Sequence, residues 1–186
     1  MKNYVILPAF IAIFLAACKE KKETKQEPPI SALSIIKGQL NGLDTSLYSI
    51  IKYEKADNIT DTAYLKREEV RKLAAPFLTL PEIADKEYYE NYTEERLIDA
   101  QQETLNITTT AKNENAEIQK QIMVITLADV SSGKVQSIFI DRYIPSKDST
   151  VEQKLFWEID NYFSIGSIIE KENQSEKTRF TKVVWQ

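Results

Sequence analysis

The stretch KLFWEIDNYFSIGSIIE, residues 154–170, decides the fold of this chain. Aromatic and β-branched residues, which favour strands, fill both of its halves. Asp160 and Asn161 lie between the halves and are residue types that favour a tight turn. Because two strands joined by so short a connection must pair antiparallel, the stretch predicts a hairpin over 154–159 and 162–170.

Further strand patterns extend this hairpin into a meander. Strands are predicted over 105–110, 121–127, 135–143 and 178–185, with turns or polar loops at 113–115, 130–133, 145–150 and 172–177. Phe139 and Tyr143 are predicted to share one strand face. Leu155, Trp157 and Ile159 are also predicted to share a face, because side chains alternate along a strand.

The N-terminal half adds helices to the strands. Apolar residues recur there at the three- and four-residue spacing of an amphipathic helix. The predicted elements are a helix over 31–44, a hairpin over 48–53 and 59–65 with Asp57-Asn58 as its turn, and a second helix over 66–77. The fold class is therefore predicted to be α+β, with one twisted antiparallel meander and two N-terminal-half helices packed on one face.

Seven aromatic residues of the meander are expected to pack beneath the helices as ordinary core. They are Phe139, Tyr143, Phe156, Trp157, Phe163, Phe180 and Trp185. Both tryptophans are expected to be core residues because each alternates with apolar neighbours in strand register. The alternative is a hollow, aromatic-lined, concave sheet that holds an acyl chain.

The residue composition excludes several classes of site. The 186 residues include no histidine and a single cysteine, so neither a Ser-His-Asp triad nor a Cys-His pair can be built from this chain. The four glycines lack the spacing of a phosphate-binding loop. We therefore expect no enzymatic activity and no cofactor. The formal net charge is −4 and no basic segment with interleaved aromatics occurs along the sequence, so no nucleic-acid partner is expected.

The first 18 residues have the three parts of a bacterial lipoprotein leader. Lys2 provides a positive start, residues 4–14 form an apolar core, and the run LAAC ends at Cys18. This run resembles the lipobox, which implies cleavage between Ala17 and Cys18 and acylation of Cys18. The alternative is an ordinary secretory leader or membrane anchor in which the cysteine is incidental.

The leader divides the chain into three expected parts. They are a removed signal peptide over 1–17, the lipidated cysteine with a disordered tether over 18–29, and a single α+β domain over 30–186. The tether is charged, lacks aliphatic and aromatic residues and ends in two prolines. The expected location is the bacterial cell envelope, with attachment to the outer membrane through the lipid.

Several short strings resemble uncharacterised lipoproteins of the Bacteroidota type. They are the charged run after the cysteine (KEKKE), RKLAAPF at 71–77, IQKQ at 118–121 and KLFW at 154–157. The resemblance implies an envelope lipoprotein and carries no assigned activity. The expected partner beyond the membrane is an envelope protein or a glycan.

An acidic, tyrosine-containing segment over 82–103 supplies the candidate surface for a ligand or partner. Its candidate residues are Tyr88, Tyr89, Glu90, Tyr92, Glu94 and Glu95. Such a surface suits a sugar ring, a basic peptide or calcium. A glycosidase would instead pair Glu94 or Glu95 with Asp99 as acid and base. The alternative is a solvated helix-to-loop segment whose tyrosines cover the edge of the core.

The sequence favours a lipid-anchored envelope protein with a non-catalytic binding or scaffolding domain. The alternative is a carrier of an apolar, acyl-chain ligand. The volume enclosed by the sheet separates the two, because a filled helix-sheet interface favours the scaffold and an apolar hollow favours the carrier.

Overall fold

The computed structural model of the chain describes residues 29–56, 59–127, 133–171 and 175–185. The predicted acylation site at Cys18, its cleavage point after Ala17 and the tether up to residue 28 lie outside the described residues. The predicted turn at Asp57-Asn58 and most of the turn at 130–133 also lie outside them.

Nine strands form one antiparallel sheet in the order β2-β1-β9-β8-β7-β6-β5-β4-β3. The strands are β1 (Ile50–Ala56), β2 (Ile59–Tyr64), β3 (Tyr92–Asp99), β4 (Thr104–Ala111), β5 (Ile118–Thr126), β6 (Lys134–Pro145), β7 (Ser149–Glu158), β8 (Tyr162–Lys171) and β9 (Lys177–Trp185). Together with the helices of the N-terminal half, this sheet makes the fold α+β, as the sequence predicts. The sheet is open, with β2 and β3 at its edges.

The first hairpin joins the meander through the last strand. β1 pairs antiparallel with β9, from Ile50 opposite Trp185 to Ala56 opposite Arg179. β9 therefore hydrogen-bonds on both sides, to β1 and to β8. The two ends of the described domain are thus held together inside the sheet.

Four helices precede the meander. They are α1 (Ala32–Thr45), α2 (Arg67–Leu73), α3 (Ala75–Leu78) and α4 (Lys86–Tyr89). α1 begins where predicted because the Ser31 hydroxyl accepts a hydrogen bond from the Ser34 N–H at 2.9 Å. The single helix predicted over 66–77 is two helices, since Pro76 has no N–H to continue the ladder of α2. None of the described helices is long and apolar enough to cross a membrane.

The helices and one face of the sheet enclose a filled core. Ile36 and Leu40 of α1 are fully buried against it. Trp157 stacks on Phe163 with 5.0 Å between ring centroids, and Phe77 of α3 meets Trp157 edge-on at 5.2 Å. Trp157 and Trp185 are 0% and 5% exposed, so the expectation that both are core residues is confirmed.

The expectation that all seven aromatic residues lie under the helices is wrong for four of them. Phe139, Tyr143, Phe156 and Phe180 alternate with the core residues of their strands and lie on the opposite face. Phe180 is 44% exposed. The reason is the two-residue period of a strand, which places neighbours such as Phe156 and Trp157 on opposite faces of one sheet.

The acidic segment contains a strand in place of the expected helix-to-loop segment. β3 forms an edge of the sheet and pairs only with β4 among the described strands. Five of its eight residues are exposed, including Leu97 and Ile98. An edge strand with so little buried surface shows weak alternation, which is why its pattern does not stand out in the sequence.

Candidate functional site

The face of the sheet opposite the helices, here called the open face, carries the candidate site. Residues on it come from alternate positions of the strands, so it includes Phe139, Lys154, Phe180 and Lys55. The helices α1 to α3 pack on the other face, against residues such as Trp157. The open face is therefore the surface of the sheet on which a ligand could rest.

A groove with a volume of about 510 Å³ crosses the open face from β1 to β5. Its lining residues fall in neighbouring cross-strand rows of six strands, β1 and β5 to β9. The groove is shaped by Gly166 and by the side chains of Lys55, Tyr143, Lys154, Ile168 and Phe180. Six strands about 4.8 Å apart span roughly 24 Å.

Gly166 forms the floor of the groove. It pairs with Lys154 on β7 and with Phe180 on β9, so both side chains flank it. A Cβ atom placed on Gly166 would come no closer than 3.9 Å to another atom, the Lys154 carbonyl oxygen. The glycine thus leaves space that a side chain could fill. A larger residue at position 166 would therefore fill the groove.

The two ends of the groove differ in charge. Lys55 lies at the β1/β9 end, and its diagonal neighbour on β9, Lys182, lies outside the residues that line the groove. Within the described part of the chain, no carboxylate lies within 4.0 Å of either ammonium group. At the other end, Asp141 accepts a hydrogen bond from Lys154 Nζ at 3.0 Å, and Glu152 lies nearby.

Tyr162 positions one of these lysines. Lys182 Nζ lies 3.7 Å from the centroid of the Tyr162 ring, a cation–π contact. Burial, with a further contribution from Glu158, raises the pKa of the Tyr162 hydroxyl. The phenol therefore stays neutral well above neutral pH, and the ammonium of Lys182 lies over its ring, away from the residues that line the groove.

An arginine on the helix side holds the strands beneath the groove. Arg142 Nε donates to Glu117 Oε1 at 2.8 Å, and its Nη1 donates to the Pro76 carbonyl at 3.1 Å and to Gln153 Oε1 at 3.3 Å. Its side chain is only 10% exposed. These bonds tie β6 to β7, to α3 and to the residue before β5, so the floor of the groove rests on a fixed framework.

A second hollow of about 500 Å³ lies on the helix side of the molecule. It is bounded by the exposed glycines of α1, by the loop after α1 and by Trp185. Leu47 and Tyr48 of that loop are 98% and 52% exposed. Its walls bear Asp160 as their charged side chain, and Asp160 is already bound by Gln39 and Lys134.

The structure separates the six residues of the acidic candidate surface. Tyr88 and Tyr89 lie in α4 and Glu90 follows it, so these three remain together at the surface. Tyr92 is 4% exposed and belongs to the core, where burial raises the pKa of its hydroxyl.

Glu94 and Glu95 are neighbours on β3 and therefore point to opposite faces of the sheet. Glu94 accepts a hydrogen bond from Arg96 Nε at 2.7 Å, and Asp99 accepts from the backbone of the turn that follows β3. No group of three or more carboxylates within the described ranges is close enough to hold a metal ion.

Sequence reasoning did not find the groove because its residues are distant along the chain. Lys55 and Phe180 are register partners that lie 125 positions apart, and only the β1–β9 pairing brings them together. The one local signal is Gly166, since a glycine inside a strand often marks a place where something approaches the backbone closely.

Comparison with known proteins gives no relative for this chain. No family model matches it, no curated protein matches it and no solved structure matches it.

Proposed function

We propose that this chain is a lipid-anchored protein of the bacterial cell envelope with a non-catalytic binding domain. The membrane attachment is through lipid on Cys18, and the outer membrane is the proposed location. The binding site is the groove on the open face, and its ligand is an envelope component. Tyr88, Tyr89 and Glu90 remain a second surface on which a protein or glycan partner could rest.

The groove over Gly166 is the observation that supports this proposal. Its volume of about 510 Å³ falls in the range of small-molecule sites, about 300 to 1,000 Å³. It lies on the face of the sheet that the helices leave uncovered, behind a core that is already filled. A glycine in the interior of a strand often marks a place where a ligand or another backbone approaches closely.

A carrier of an acyl chain is the second candidate, and the lining of the groove favours it. Phe180, Ile168 and Tyr143 give the groove an apolar wall along much of its length. The interface between helices and sheet is filled. A hollow that could hold an acyl chain is therefore the groove on the open face. An acyl chain would therefore lie across the strands in an open groove.

Filling the groove tests the proposed site. The intact chain and its Gly166→Phe variant would be isolated from envelopes, and the molecules that copurify would be identified by native mass spectrometry. We expect a bound species with the wild-type chain and its loss with Gly166→Phe. Gly38→Phe is the matched control, because Gly38 also has open space at its Cβ but lies on α1.

Either of two results contradicts the groove as the binding site. One is a bound species that persists in Gly166→Phe, and the other is its loss in Gly38→Phe alone, which would move the site to the second hollow. The melting temperatures of both variants are measured to verify that they fold.

The lipid anchor has its own test. Cys18→Ala should leave an unprocessed precursor that takes up no labelled palmitate, because the acylated sulfur is removed. The wild-type chain should be labelled and should stay with the membrane fraction after a salt wash. Labelling of the mutant would refute Cys18 as the attachment site.

A further inference from the structure

We propose that the open-face groove binds an anionic amphiphile, a molecule with one apolar chain and a carboxylate or phosphate head. The head lies at the β1/β9 end beside Lys55, and the chain crosses Phe180, Gly166 and Ile168 towards β6. This inference rests on the proposed function, because it names the class of ligand for the same groove.

Charge complementarity supports the orientation. Lys55 makes the β1/β9 end cationic, although the chain as a whole carries a formal net charge of −4. The β6/β7 end bears Asp141 and Glu152, and Lys154 already binds Asp141 there. An anionic head is attracted to the first end and repelled from the second, so the charges select one direction of binding.

The space between the two ends suits an apolar chain. Phe180 and Lys154 flank the hollow above Gly166, and the stem of a lysine offers methylene groups to an apolar neighbour. Ile168 and Tyr143 continue the apolar lining in the next cross-strand row. Each methylene buried in such a groove adds to the affinity, so longer chains should bind more tightly.

A polyanion such as single-stranded nucleic acid would need a different surface. Such strands are bound by a continuous basic track and by aromatic faces on which successive bases stack. Here Glu152 and Asp141 interrupt the positive charge within one groove length. Phe139 and Phe156 are only partly exposed, which limits their use as stacking platforms.

Photo-crosslinking in envelope vesicles tests the ligand class with the full, lipidated chain. The probes are a diazirine-bearing C16 fatty acid, the phosphate ester of the corresponding alcohol and the uncharged alcohol itself. Crosslinked peptides are mapped by mass spectrometry, and yield is titrated against probe concentration. We expect both anionic probes to label β8 and β9 at lower concentration than the alcohol does.

Two sets of variants assign the roles of the residues. Lys55→Gln should raise the half-saturating concentration of the anionic probes about tenfold and leave that of the alcohol unchanged, because only a charge-assisted contact is lost. Lys37→Gln with Lys72→Gln, on exposed positions of α1 and α2, is the matched control and should change neither. Glu152→Gln should not raise the half-saturating concentration of the anionic probes.

The outcomes separate this inference from the proposed function. If Gly166→Phe abolishes all labelling but Lys55→Gln changes the binding of no probe, the groove binds a ligand and the anionic head is refuted. The anionic head is also refuted if Lys55→Gln weakens binding of the alcohol and of the fatty acid equally. It is likewise refuted if an oligothymidylate of twelve nucleotides displaces the bound probe better than laurate does. A stronger response to the phosphate ester than to the fatty acid identifies phosphate as the head.

Discussion

Trp157 is the residue on which the core of this domain depends most. It contacts the rings of Phe77, Phe163 and Trp185 and is fully buried. Its indole N–H is buried, and no described residue accepts a hydrogen bond from it. The side chain therefore contributes through packing alone, and its unpaired N–H costs about 1 to 3 kcal/mol.

Replacing Trp157 tests this account of the core. Trp157→Ala should lower the free energy of unfolding by about 3 to 5 kcal/mol, because it leaves a large cavity. Trp157→Phe should cost clearly less, since it keeps an aromatic ring and removes the unpaired N–H. Urea unfolding measures both, with Phe156→Ala as the control on the open face. A loss for Phe156→Ala as large as that for Trp157→Ala would contradict the assignment of the two faces.

Asp160 makes the turn between β7 and β8 depend on pH. Its backbone is left-handed, with φ of 61°, and its carboxylate accepts from Lys134 Nζ and Gln39 Nε2, both at 3.0 Å. The hydrogen bond from Lys134, followed by that from Gln39, lowers the pKa of Asp160. A lowered pKa stabilises the fold above the ordinary pKa of Asp, and this contribution is lost as the pH falls through the folded value.

Asp160→Asn tests that dependence on pH. Asparagine tolerates the left-handed backbone and can keep the bond from Gln39, so the variant removes only the charge. We expect it to be less stable than wild type at pH 6 and to show a smaller deficit at pH 3, because the carboxylate of wild type loses its charge as the pH falls through the folded pKa of Asp160. Urea unfolding at the two pH values is the measurement, and an equal deficit at both would assign the effect to geometry.

At the scale of elements, α1 carries two glycines that its helix does not need. A Cβ on Gly42 would meet no atom within 4 Å, and the position is exposed in the middle of the last turns of the helix. Gly42→Ala should therefore stabilise the domain by about 0.5 to 1 kcal/mol. Gly133→Ala is the contrasting variant. Its Cβ would lie 2.7 Å from Ile125 Cγ2, so this variant should not gain stability. Thermal melts measure both, and destabilisation by Gly42→Ala would show that the glycine is required.

Elements with one buried face could be predicted from the sequence, and those without one could not. α1 and the strands around Trp157 show clear periodicity because half of each is core. β3 lies at an edge and α2 is interrupted by Pro76, so neither follows the pattern of a single buried face. The correct periodicity still left open which aromatic residues face the helices, because that depends on which side of the sheet is covered.

At the scale of the whole molecule, the register between distant strands creates the candidate site. The sequence predicts a sheet and a set of aromatic residues on it, yet Lys55 joins Phe180 and Gly166 only once β1 has paired with β9. Pairing between strands that are far apart in the chain is set by the packing of the whole sheet, and no local pattern encodes it. The groove was therefore beyond prediction, although each strand that lines it could be recognised.

The same pairing makes β9 essential to the domain. Residues 30–186 should fold alone and melt cooperatively, because one filled core extends from α1 to β9. A chain ending at residue 171 should show no cooperative melt, since loss of β9 frees the β1–β2 hairpin and uncovers Phe163. Circular dichroism on heating, with and without EDTA, compares the two.

The chain has no histidine and its single cysteine precedes the domain, so we expect EDTA to leave the melting temperature unchanged. A fall of about ten degrees on chelation would show that a bound cation stabilises the fold, and would return the acidic segment at 82–103 to consideration as its site.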